Sequence, residues 1–210
     1  MGKMDITYII TVLVVILFSM TLHEAMHAFM GYFLGDDTAK AQGRLTLNPI
    51  RHIDPIMTIA LPVFLAIVGG PIFGGAKPVP FNPSRVRYGE WGAAMVALAG
   101  PLTNFLIAFL AFGTLALFNG NDTVTYIGTI VVMVNLGFFV FNMLPIPPLD
   151  GSRVLYALAP EGARRVMEQI ERYGLFVIFA IVMLGSSVIG QIMMTSIQAI
   201  LNFFNMIFQV

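Results

Sequence analysis

Thirty-four consecutive residues, Leu175 to Phe208, contain no charged side chain, and the run from Ile6 to Leu34 contains one, Glu24. Runs of about 18 or more apolar residues are long enough to cross the roughly 30 Å hydrocarbon core of a bilayer. Inside that core a backbone must satisfy its own polar groups, which favours helix. Trp91 to Phe118 and Val124 to Leu144 are runs of the same kind. A shorter one, Ile56 to Phe73, is interrupted by Pro62 and closed by Gly69-Gly70-Pro71. The fold expected is an all-α, polytopic membrane helix bundle of five or six spans, with extended loops near the functional site. Gly185-Ser186-Ser187 is the expected hairpin point of the last run.

Only 10% of the residues are charged, against roughly 25% in soluble proteins, and the 22 charges cancel to zero. No global field recruits nucleic acid, and the lipid bilayer is the expected surrounding. The chain has 210 residues, enough for a single membrane-embedded domain over 1–210 and for no appended soluble domain. The first run exceeds the 7–15-residue core of a signal peptide and lacks a small-residue cleavage pattern, so it is expected to be retained.

Lys and Arg concentrate in three loops: Lys40, Arg44 and Arg51; Lys77, Arg85 and Arg87; and Arg153, Arg164, Arg165 and Arg172. If all three are cytoplasmic, Ile56 to Phe73 begins and ends on one side and is a re-entrant or broken segment rather than a span. The first run and Val124 to Leu144 then travel in one direction, and their C-terminal ends meet. The stretch 159–174 reads as an amphipathic helix lying in the interface.

Those two ends carry the chemistry. His23-Glu24-Ala25-Met26-His27 puts two imidazoles one helical turn apart on one face, within reach of a single ion. Glu24 stands beside them, placed to take a proton from a water on that ion. Each ionisable group in a membrane helix costs at least about 2.5–3.5 kcal/mol, so three in five positions need a reason, and a metal supplies one. A catalytic zinc takes three protein ligands and keeps one position open. The chain has no cysteine and only one other histidine, so the third ligand is His52 or a carboxylate. Asp150 is the stronger candidate: Pro145, Pro147 and Pro148 stop the preceding helix, and Asp150-Gly151 makes a turn that can aim a carboxylate into the bundle. Asn142 either donates to a developing oxyanion or bonds between helices. Asn104 and Asn135 read as packing contacts between helices. His52 reads as a polar loop residue, with a smaller claim on the site or on a second metal. The segment Gly74 to Pro83 cannot be helical; it is a connector, or an edge along which an unwound peptide can add as a strand.

Three motifs in this order, His23 to His27, Gly100-Pro101-Leu102-Thr103-Asn104, and Asn142 to Gly151, resemble the site-2 protease family of intramembrane zinc metalloproteases. The resemblance covers about Tyr8 to Arg153. It implies one Zn2+ held by His23, His27 and Asp150, with Glu24 activating water and Asn142 assisting. It implies cleavage within or near transmembrane segments of membrane-protein substrates, that is, regulated intramembrane proteolysis. It further implies a multi-pass protein of the cell membrane with its active site toward the cytoplasm, and leaves room for a homo-oligomer. The alternatives are a membrane metal-binding protein or metal transporter without hydrolysis, and an inactive relative used as a scaffold.

Overall fold

A computed structural model describes residues 6–60, 64, 75–118, 120–184 and 186–209. The described elements are helical: α1 Ile6–Phe33, α2 Thr38–Ala41, α3 Gly89–Leu117, α4 Asp122–Asn142, α5 Gly151–Leu158, α6 Glu161–Arg172, α7 Gly174–Leu184 and α8 Ser186–Phe208. Short 3-10 turns occupy Pro49–His52 and Pro83–Arg85, and a single π-helical stretch occupies Pro55–Ala60. Four of the described helices, α1, α3, α4 and α8, are long and apolar enough to cross a membrane, and α7 is a shorter apolar helix. This is the polytopic all-α bundle that the apolar runs imply. The hairpin point expected in the last run, Gly185-Ser186-Ser187, includes residue 185, which lies outside the described residues. The re-entrant reading of Ile56–Phe73 falls mostly on 61–63 and 65–73, outside the described residues.

The helix limits follow from local chemistry. Asn121 caps α4, its side chain accepting the Val124 N–H at 3.0 Å. The same helix stops at Asn142, just ahead of the proline cluster. At 29 residues α3 is about 43 Å long, which exceeds the hydrocarbon thickness and lets both ends emerge. It is the central helix, packing against α4, α1 and α5. Its partners approach closely because the contact face is built from Ala93, Ala94, Ala97, Gly100 and Ala108, all buried.

Away from the site, Phe204 of α8 is fully buried among Phe105, Phe109 and Phe112 of α3, with ring centroids 5.2–5.5 Å apart. Lipid is as apolar as these rings, so the cluster holds by close packing rather than by expulsion of water. It anchors α8 to the α3–α4 pair while the polar centre lies between α1, α3 and α4. The charged stretch after α5 does form a helix, α6, with Val166 and Ile170 exposed one turn apart.

Candidate metal centre

His23 and His27 project from α1 with ring centroids 4.6 Å apart and planes 84° apart. His23 Nδ1 lies 2.6 Å from Asn104 Oδ1, and His27 Nδ1 lies 2.8 Å from the Val96 carbonyl, both on α3. Those oxygens only accept, so each Nδ1 carries the hydrogen and each Nε2 keeps its lone pair. The two Nε2 atoms face each other at 3.0 Å. Two bare lone pairs so placed repel unless a positive centre lies beside them.

Asp150 supplies the third donor. It stands at the N-cap of α5, where an aspartate ordinarily accepts a backbone N–H, yet it makes no cap bond. Its Oδ2 lies 3.1 Å from His23 Nε2 and 3.4 Å from His27 Nε2, buried and accepting no other hydrogen bond. Gly151 makes the seat possible, because a Cβ there would meet the Met143 carbonyl oxygen at 2.3 Å.

The three donors therefore form a triangle with sides of 3.0, 3.1 and 3.4 Å. In a tetrahedral site with bonds of about 2.0–2.1 Å, donors stand about 3.3 Å apart, so the triangle fits zinc-sized coordination with one position open. Among the described residues this is the group able to hold an ion. Gly100 on α3 lines the same space: a Cβ there would fall 2.4 Å from His27 Nε2 and 2.7 Å from His23 Nε2. The orphaned Asp150 oxygen and the missing Cβ both fit a metal at this point.

Glu24 is half-buried, and its Oε2 accepts the Val79 N–H at 3.0 Å. That bond belongs to a regular pattern. Gly75 donates to the Met57 carbonyl and its own carbonyl accepts from Thr58 Oγ1. Lys77 donates to the His52 carbonyl at 2.8 Å, and its carbonyl accepts from Arg44 Nη2 at 2.6 Å. Residues 75, 77 and 79 thus turn their polar groups inward, the period of an extended chain. The extended loop expected beside the site is present, and it is tied directly to Glu24.

His52 is not an open loop residue. It is 1% exposed, its Nε2 bonds the Thr46 carbonyl at 2.9 Å, and its Nδ1 faces Arg44 Nη2 at 3.4 Å. It stands outside the metal-capable group and braces the segment that contacts Glu24. Burial pushes the Arg44 guanidinium below its ordinary value, and Glu24 nearby pulls it up. Asp36, 2% exposed, fixes the other end: it accepts from the Thr38 N–H, from Thr38 Oγ1 and from the Asn82 N–H at 2.7 Å.

Asn142 ends α4 with its Nδ2 donating to the Phe138 carbonyl of its own helix at 3.0 Å. Asn104, read from the sequence as a packing contact, does bond across helices and also reaches His23. The signal available was an amide in an apolar run; its direction toward a ligand was not.

A relative from Bacillus subtilis, "Putative zinc metalloprotease YwhC", is 40% identical over 96% of this chain and 93% of its own length. The chain belongs to peptidase family M50, the site-2 protease family. The family model for M50 matches residues 120–185, the part that includes Asp150. "Putative zinc metalloprotease Rip2" of Mycolicibacterium smegmatis is 32% identical over 77% of this chain and 62% of its own length. A shorter match, 47% identical over 29% of the chain, is to "Putative zinc metalloprotease MJ0611" of Methanocaldococcus jannaschii. No solved structure matches the chain. The family and the apolar helices together support a multi-pass membrane metalloprotease.

Proposed function

We propose that this M50 member is an intramembrane zinc endopeptidase, with His23, His27 and Asp150 as ligands and Glu24 as general base. The observation that carries the reading is the triangle of His23 Nε2, His27 Nε2 and Asp150 Oδ2, whose buried Asp150 oxygen accepts no hydrogen bond. Bound zinc supplies Lewis acidity, polarising the scissile carbonyl and the attacking water. Glu24 takes the proton from that water and returns it to the leaving amine. Its hydrogen bond from Val79 holds the carboxylate in place while leaving Oε1 free of that contact. Asn142, the last residue of α4 before the loop that carries Asp150, is the candidate donor to the oxyanion once its amide leaves Phe138.

Substrates are transmembrane segments of other membrane proteins, unwound near the cut. The extended segment 75–82 supports this, because an unwound peptide can lie along it and pair through its backbone. Between Lys77 and Phe81 the outward positions are Pro78 and Pro80, which offer carbonyls and no N–H. The concentration of Lys and Arg in three loops supports an active site toward the cytoplasmic side of the cell membrane, and release of a fragment to that side is the regulated intramembrane proteolysis proposed.

Glu24→Gln tests the reaction against simple metal binding or transport. It is expected to retain zinc and to lose cleavage of a model transmembrane substrate in detergent or liposomes. Cleavage at the normal rate by Glu24→Gln would refute the protease mechanism.

A further inference from the structure

A chain of buried amides runs from α1 through α4 and α3 and back to α1. Asn135 and Asn104 are 0% exposed, and Ser19 is 4% exposed. Asn135 Nδ2 donates to Ser19 Oγ at 2.9 Å and to the Val131 carbonyl at 2.8 Å. The Val131 carbonyl can only accept, so Nδ2 is fixed on that side and Asn135 must present its Oδ1 to Asn104. Asn104 Nδ2 donates to that oxygen at 2.9 Å and reaches the Ser19 carbonyl at 3.4 Å. What remains facing His23 is Asn104 Oδ1, at 2.6 Å from Nδ1.

An amide has a donor end and an acceptor end, and only one of the two orientations serves a metal ligand. With Oδ1 toward His23, the ring hydrogen sits on Nδ1 and Nε2 is free to ligate. With the NH2 toward His23, the ring must accept at Nδ1 and carry its hydrogen on Nε2, where it blocks a metal. His23 cannot choose the orientation, since either is satisfied locally by a change of tautomer. The choice is made chiefly by Asn135, whose Oδ1 takes the Asn104 Nδ2 hydrogen at 2.9 Å, with the Ser19 carbonyl a longer second acceptor at 3.4 Å.

We propose that Asn135 is a positioning residue for the metal centre: by fixing the orientation of the Asn104 amide, it fixes the tautomer in which His23 binds zinc. This rests on the zinc-site reading above. Partners that orient a ligating imidazole are commonly worth 10–100-fold in metal affinity. A carboxylate at position 104 would remove the need for Asn135, because both of its oxygens accept.

The test is zinc affinity of the purified full chain in detergent, measured by competition with a chromophoric chelator, with the cobalt-substituted absorption spectrum as a second readout. Asn135→Leu is expected to weaken zinc about 10–100-fold. The double variant Asn135→Leu/Asn104→Asp is expected to recover to within about threefold of the parent and to restore the cobalt spectrum, whereas Asn135→Leu with Asn104 intact does not. Wild-type affinity in Asn135→Leu overturns the proposal. So does a double variant as weak as Asn135→Leu, since that marks a packing role alone. Should Asn135→Leu not fold, Asn135→Ala with and without Asn104→Asp carries the same comparison, a loss restored by Asp being the expected result and its absence the refutation. Zinc content unchanged in His23→Ala would instead sink the ligand assignment itself.

Discussion

Gly100→Ala adds one methyl group to the helix facing His23 and His27, and its consequence can be worked from the distances. The new carbon falls 2.4 Å from His27 Nε2 and 2.7 Å from His23 Nε2, closer than Cβ atoms are found to any neighbour. One ring at least must swing away. Neither is free to do so: His23 is held by Asn104 at 2.6 Å and His27 by the Val96 carbonyl at 2.8 Å. Breaking such a bond strands a buried acceptor at about 1–3 kcal/mol, and the displaced ring is also lost as a ligand. A total of about 2–4 kcal/mol corresponds to zinc bound about 30- to 700-fold more weakly, at about 1.4 kcal/mol per decade. The assay is zinc content and chelator competition on purified protein, with gel filtration and thermal unfolding to report folding. Gly137→Ala is the matched control, a glycine in the spanning helix α4 whose added Cβ would meet nothing within 4 Å. It should bind zinc as the parent does and be equally or slightly more stable, since alanine favours helix by up to about 1 kcal/mol. Parental zinc affinity in Gly100→Ala would show that the ion does not sit between these rings.

Asp150→Ala should lose zinc outright while the helix bundle remains, because Oδ2 makes no other bond that the fold needs; metal analysis beside a thermal melt checks this. Removing zinc from the parent with a chelator should lower its melting temperature, reversibly on adding zinc back, as binding to the folded state alone requires. Asp36 is held below the usual aspartate value, burial pushing it up but the donors of Asn82 and Thr38 and the charge of Arg85 prevailing. A group ionised more easily when folded adds its full stability above about pH 4, the unfolded value, and loses it as the pH falls further. Asp36→Asn should therefore melt lower than the parent at pH 7, by about 1–3 kcal/mol in stability, with the gap closing in melts taken below pH 4. His52→Ala should loosen the segment 75–82 and leave Arg44 short of a partner, raising KM for a transmembrane substrate more than it lowers kcat; an unchanged KM would refute that bracing role.

The proposed metal ligands, which the structure brings into one triangle, could be read from the sequence for physical reasons. The period of a helix puts His23 and His27 on one face whatever surrounds them, and a bilayer makes stray ionisable groups too costly to be accidental. Loop charges gave each run an expected direction, and from that direction the end of α4, hence Asp150, was expected at the end of α1 that holds the histidines. Bond direction was not legible. Asn104 meets His23 across 81 positions and Asn135 meets Ser19 across 116, and nothing local says which end of an amide faces a neighbour. His52 is similar: surrounded by Arg51 and Asp54 in a polar stretch, it has the neighbours of an exposed residue, and only the return of the chain at Lys77 buries it. Gly100 lets α3 approach α1 closely, but that the atoms it admits are two imidazoles is visible only in the fold.

The pattern of segment 75–82 bears also on what the molecule avoids. Its inward donors are taken by Met57, His52 and Glu24, and Pro78 and Pro80 have none to turn outward. Two strand edges zip together only if each can both give and receive. Two copies of this one would set carbonyl against carbonyl along most of their length and stay apart. The same ledge is open to a peptide that brings its own N–H groups, so an edge beside the proposed base can persist in a crowded membrane without becoming a seed for aggregation.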